Sequence, residues 1–106
     1  MAIYTVLNKR DCARVADEFG IGDLISYSGI RNGSVNTHYL LETKRGRFFL
    51  KVDEVKSELE VKQELELLLF LRKQGCPCPQ PLRSKKGRYY NEFHGKHVSL
   101  SKFVEG

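Results

Sequence analysis

Apolar residues near the N-terminus recur at helical spacing. Cys12, Val15, Ala16 and Phe19 lie three and four apart, after Asn8 as a cap and before Gly20 as a stop, which predicts a helix from about Lys9 to Phe19. The period then changes to alternation. "DLISYSGI" reads as a strand that runs into the breaker cluster "RNGSVN". "THYLLETK" and "RFFLKVDE" read as a hairpin turning at Arg45 and Gly46, where glycine can supply a positive φ. In the third of these strands Phe48, Leu50 and Val52 share one face, and Phe49, Lys51 and Asp53 share the other. Helical spacing returns in "LEVKQELELLLFLRKQ", preceded by the capping box Ser57 and Glu60 and ended by Gly75 and Pro77. Glu58 and Lys62 stand four apart on its outer surface. Beyond "CPCPQP", two or three more strands are expected, with turns at Lys86-Gly87 and His94-Gly95. Hairpins pair antiparallel, so the order predicts an α+β fold. It should hold an antiparallel sheet of about five strands, one long packed helix and a short N-terminal helix.

Two charged residues break this pattern. Lys51 sits in an otherwise apolar strand, where burial without an anionic partner is costly. Glu64 lies three residues after Val61 and four before Leu68, on the apolar face of the long helix, whereas Glu66 aligns with Lys62 and Lys73 and faces water. One ion pair between Lys51 and Glu64 would satisfy both. The simpler alternatives are a lysine snorkelling from an edge strand and a carboxylate at the margin of the core. Upstream, "GIRNGSVNTHYLL" places a glycine-containing turn between two strands, and successive backbone N–H groups in such a turn can cradle phosphate oxygens. Ser34, Asn36 and Thr37 are equally able to bond their own backbone there. A loop joining two strands, a strand lysine and a helical glutamate that orients it are the parts with which kinases hold ATP.

A length of 106 residues allows one domain, and 41% apolar with 29% charged residues is ordinary for a globular chain. No run approaches the roughly 18 apolar residues of a membrane span. The first twenty residues mix acids with bases and resemble neither a signal nor a transit peptide, so a cytoplasmic location is expected. The three cysteines are an odd number, with Cys76 and Cys78 one residue apart, which favours reduced thiols over a disulfide framework. Zinc binding by Cys76, Cys78, His94 and His97 is disfavoured, because both spacings are one residue shorter than structural sites use. The net charge of +5 is concentrated: Arg83 to Lys102 holds six Lys/Arg against Glu92 alone. With Tyr89, Tyr90 and Phe93 among them, these residues could form a small basic nucleic-acid-binding module, though no RNA-binding signature accompanies them. A solvated hairpin with long cationic side chains explains the same charges.

The whole chain resembles the N-terminal, ATP-binding lobe of the aminoglycoside phosphotransferase-like kinases, most closely their homoserine kinase branch. The resemblance rests on "MAIYTVLN", "GDLISYSGIRNGSVNTHYLLETKRGRFFLKV", "ELLLFLRKQGCPCPQPL" and "SKFVEG". Gly33, Asn36 and Tyr39 match the G-x-x-N-x-x-Y-like nucleotide loop. Lys51 matches the strand lysine, and Glu64, thirteen residues before Pro77, matches the helical glutamate. The resemblance implies a protein-kinase-like N-lobe in which Gly33, Ser34, Val35, Asn36 and Thr37 cover the phosphates. Lys51 would neutralise them, Glu64 would hold Lys51, and the backbone from Ser101 through Phe103 to Val104 would meet adenine.

The implied cofactors are ATP and Mg²⁺. The implied acceptor is a small-molecule alcohol, homoserine first (and with it threonine biosynthesis), with aminoglycosides or choline as alternatives. Many homoserine kinases carry threonine where Lys51 stands, so that residue matches the wider family. The family's H-x-D-x-x-x-x-N base loop and Mg²⁺-binding aspartate do not occur here, since no histidine is followed two residues later by aspartate. Residues 1–106 are therefore expected to form one lobe without its catalytic C-terminal partner, unable to transfer phosphate alone and prone to self-association through the open face.

Overall fold

The computed structural model describes residues 6–30, 36–54, 57–76, 79–93 and 95–102. Helix α1 (Lys9–Glu18) starts at a reciprocal capping box. The Asn8 side chain accepts from the Asp11 N–H at 2.8 Å, and the Asp11 carboxylate accepts from the Asn8 N–H at 3.0 Å. Strands β1 (Leu24–Ile30), β2 (Thr37–Thr43) and β3 (Gly46–Asp53) follow. The β2–β3 turn occupies Lys44 and Arg45, and Gly46 opens β3 at φ +132°, a region that side-chain-bearing residues avoid. Helix α2 (Glu58–Lys73) begins at the expected box, with Ser57 Oγ accepting from the Glu60 N–H at 3.2 Å. Strands β4 (Asn91–Phe93) and β5 (Lys96–Lys102) complete the described elements.

The five strands form one antiparallel sheet in the order β1-β2-β3-β5-β4. The strand that closes the last hairpin, β5, docks on β3 and leaves β4 at the rim. This makes β3 central: Lys51 lies opposite His38 on β2 and opposite Ser99 on β5. Between Leu82 and Tyr90 the chain does not become a further strand. It turns back on itself through the Ser84 N–H to the Arg88 carbonyl at 2.7 Å, and the Lys85 N–H donates to the Glu18 carbonyl at 2.9 Å. The segment leaves the sheet at Leu82, whose N–H donates to the Leu100 carbonyl of β5 at 2.8 Å, and beyond that point the backbone bonds named here run within the segment and to the end of α1.

Helices cover both sides of the sheet. On one face Tyr39, Leu41, Phe48, Leu50, Val52, Val98 and Leu100 pack with Cys12, Val15 and Ala16 of α1 and with Phe19 at its C-terminal cap in a single buried cluster. On the other face Val61 and Leu65 of α2 form a smaller cluster with Tyr90. The long helix packs on the sheet as expected, yet the short α1 covers the larger core. The cause lies in α2 itself, whose inward positions include Glu64 and whose outer face exposes Leu59, Leu67 and Phe70. Among the described residues no helix is long and apolar enough to cross a membrane.

Candidate functional site

Strand alternation and the α2 cap set the site. Because Phe48, Leu50 and Val52 point into the α1 core, Lys51 must point to the α2 side. The start of α2 at Ser57 fixes a register that buries Val61 and Leu65 and leaves Glu64 beside them, facing β3. The Lys51 ammonium forms an ion pair with Glu64 and lies 3.6 Å from the Asp53 carboxylate. The Lys51 and Glu64 side chains are 22% and 31% exposed, whereas that of Asp53 is 1% exposed. One cation is therefore held between two acids at the mouth of a cleft, and the ammonium keeps an open side. With neighbours on both sides of β3, Lys51 is not a snorkelling edge lysine.

Beside this pair lies a cavity of about 200 Å³, bounded by Phe49, Leu68, Pro79, Pro81 and Ser101 together with His38 and Lys51. Its walls are chiefly apolar, with one ammonium at the side, which suits a flat, partly apolar ligand carrying negative charge. The His38 ring stacks on Phe49 with centroids 5.1 Å apart and planes 18° apart. Burial, and secondly the Lys51 charge, hold the imidazole below its ordinary value of 6.5, with Asp53 opposing them. It is thus neutral at physiological pH.

A larger hollow of about 410 Å³ lies between α1 and the loop at Ser84–Arg88. Lys85 reaches across it to Asp17 at 3.3 Å, and Arg14 pairs with Glu18 at 3.3 Å along α1 itself. Other cations of the basic stretch are also engaged within the chain. Arg88 stands 5.2 Å over the Tyr90 ring and 3.7 Å from Glu58, and Arg83 stands 5.2 Å over Tyr89. The Tyr90 hydroxyl donates to Glu58 at 2.7 Å and is the main reason that carboxyl is held below its ordinary range. Arg88 and Tyr90 thus tie the 83–90 segment to α2 through Glu58, while Arg83 stays with Tyr89 inside the segment.

Of the residues expected at a nucleotide site, Lys51, Glu64 and Ser101 meet at this cleft. Asn36 and Thr37 stand at the start of β2, where the next residue, His38, faces the cleft. The Thr37 side chain points the other way, sharing the face of its cross-strand partner Val52, and its hydroxyl donates to Glu54 at 2.5 Å. Asn36 Oδ1 accepts from the Glu54 N–H at 3.3 Å. Gly33, Ser34, Val35, Phe103 and Val104 lie outside the described residues, as do Pro77, Cys78 and His94. Sequence reasoning passed over Asp53, His38 and Glu54. Alternation along β3 was enough to place Asp53 beside Lys51, but no spacing rule points to Glu54.

The sequence model of a phosphotransferase enzyme family matches residues 26–106. The chain is 35% identical over 107 residues to the homoserine kinase of Bartonella tribocorum, covering 100% of this chain and 34% of that protein. It is 38% identical over 108 residues to the homoserine kinase of Rhodopseudomonas palustris, covering 100% of this chain and 33% of that one. The chain thus spans about a third (34% and 33%) of the length of these curated relatives. Among solved structures, a spectinomycin phosphotransferase in complex with ADP and spectinomycin superposes with a TM-score of 0.73 at 13% identity, covering 94% of this chain and 30% of that one. At that identity the likeness shows the fold: a sheet and helix arrangement of the kinase-like N-lobe type.

Proposed function

Because this chain belongs to the phosphotransferase enzyme family, we propose that it is the ATP-binding lobe of a kinase that transfers the γ-phosphate of ATP to a small-molecule alcohol. The observation that carries this reading is the Lys51–Glu64 pair on a central strand, at the mouth of an apolar cleft that Ser101 also lines. Homoserine is the leading acceptor, on the strength of the full-chain similarity to homoserine kinases; aminoglycosides and choline are the alternatives.

Each residue has a part in this reading. The cleft beside Phe49 takes the base, the backbone from Ser101 through Phe103 meets adenine, and Lys51 reaches the phosphates. Glu64 holds the ammonium in place, and the segment Gly33, Ser34, Val35, Asn36 and Thr37 covers the phosphates with backbone N–H groups. Transfer makes a bond from the acceptor oxygen to the γ-phosphorus and breaks the bond to the β–γ bridging oxygen, releasing ADP. Such a reaction is promoted mainly by positioning and charge neutralisation, which is what a held ammonium supplies. Among the described residues no group of three or more His, Cys, Asp or Glu could hold a metal ion. In this reading, Mg²⁺, which neutralises phosphate charge when bound, is assigned by the family resemblance to carboxylates of a second lobe, along with the catalytic base and the acceptor site.

The test is ADP release by the full-length protein, with homoserine, an aminoglycoside and choline offered in turn. Release above background with homoserine is the expected result. No release with any alcohol, together with no effect of ATP on the melting temperature, would sink the proposal. In isolation, residues 1–106 leave the cleft face open and are expected to self-associate weakly; a sedimentation series showing only monomer would remove that expectation.

A further inference from the structure

We propose that Glu54, on the face of the sheet opposite the nucleotide cleft, is a positioning residue that fixes the end of β2 leading into that cleft. Glu54 follows the last residue of β3 and grips β2 twice. Its carboxylate accepts the Thr37 hydroxyl at 2.5 Å, and its backbone N–H donates to Asn36 Oδ1 at 3.3 Å. The same carboxylate meets the Lys96 ammonium at 2.5 Å at the start of β5, and its side chain is 6% exposed. A carboxylate so withdrawn from water requires a cation, and Lys96 is placed to supply one. Bonds of this charge-assisted kind are short and directional, so they fix a backbone more firmly than neutral ones do.

The local packing explains why β2 depends on this grip. The last described β2–β3 pairing is Thr37 with Val52, and the large apolar side chains that β2 buries start only at Tyr39. Hydrogen bonds to Glu54 therefore do at Asn36 and Thr37 what apolar burial does further along the strand. His38 comes next, facing the cleft directly across from Lys51. A displaced β2 end would thus move the cleft wall and the segment carrying Asn36 and Thr37 relative to Lys51. Glu54 acts through Thr37 and Asn36 and touches neither nucleotide nor acceptor. Its loss should consequently weaken ATP binding and leave the chemical step alone. The inference rests on the nucleotide-site reading above.

The experiment measures KM for ATP, kcat and melting temperature in the full-length enzyme for Glu54→Ala, Glu54→Gln, Thr37→Val and the double variant Glu54→Ala/Thr37→Val. Glu54→Ala and Thr37→Val should each raise KM about tenfold with kcat within about twofold, the scale of one hydrogen bond to a charged group. The double variant should be no worse than Glu54→Ala alone, because the two residues share that bond. Glu54→Gln keeps an acceptor oxygen for Thr37 and should recover most of the lost affinity. An unchanged KM in Glu54→Ala overturns the inference. So does a parallel decline of kcat, affinity and melting temperature, which would mark a purely structural residue. Failure of the nucleotide-site reading itself looks different: the wild-type enzyme would show no saturation with ATP.

Discussion

On the α1 face of the sheet, β2, β3 and β5 bury an unbroken apolar surface under the helix, from Tyr39 and Leu41 through Phe48, Leu50 and Val52 to Val98 and Leu100. On the α2 face the same strands present His38, Lys51, Asp53 and Ser99, and the helix answers with Glu64 beside Val61 and Leu65. Alternate residues of the same strands thus contribute to stability in one direction and, in the other, to a chiefly apolar cleft with charged groups at its mouth. Close packing is incompatible with an open ligand site, and separating the two by the pleat lets each be optimised without the other. The cost falls on α2, which packs against a half-charged surface and leaves Leu59 and Phe70 more than half exposed (64% and 56%).

Substitutions can sharpen that contrast. The largest stability effect is expected at Leu50, which is 0% exposed at the centre of the α1 core. Leu50→Ala should lower the unfolding free energy by about 3 kcal/mol, read from denaturant unfolding, through lost burial and the cavity left behind. A loss below about 1 kcal/mol would mean that the α1 face is not the main core. Ser57→Ala removes the side-chain acceptor at the start of α2 and should cost about 1 kcal/mol, because it disturbs the helix that carries Glu64. The smallest effect is a pH dependence. Burial and Lys51 hold His38 below its ordinary 6.5, so the unfolded chain takes up the proton first. Stability should therefore decline as pH falls through 6.5, and His38→Gln should flatten that decline. A wild-type curve already flat between pH 7 and 5 would remove His38 from the account.

Much of this contrast is readable in the residues, and the unreadable part has a physical cause. Local signals place both helix starts, since the Asn8 and Ser57 caps act within one turn of chain. Alternation gives the faces of β3, and the two misplaced charges Lys51 and Glu64 point to each other, because a buried charge demands a partner wherever it is in sequence. Sheet order is different. Nothing local tells β5 to pair with β3, because that choice depends on contacts about fifty residues apart. Of the two or three strands expected in this part of the chain, two form as β4 and β5, and the stretch before β4 keeps only an isolated bridge from Pro81 to Ser101, because Lys85 bonds to the end of α1, a partner that pattern cannot reveal. Thr37 read as a loop residue for phosphate, while its side chain serves Glu54 on the reverse face, a distinction that only cross-strand register exposes.

The central claim is that the α2 face is a nucleotide site organised around Lys51, and the most direct measurement pairs activity with stability in Lys51→Met of the full-length protein. Methionine keeps the apolar stem and removes the charge. The account predicts that ATP-dependent turnover falls about a thousandfold, as expected for loss of a phosphate-neutralising cation, while unfolding free energy changes by no more than about 2 kcal/mol. Turnover equal to that of the wild type, or a loss of activity accompanied by unfolding of the protein, would contradict it.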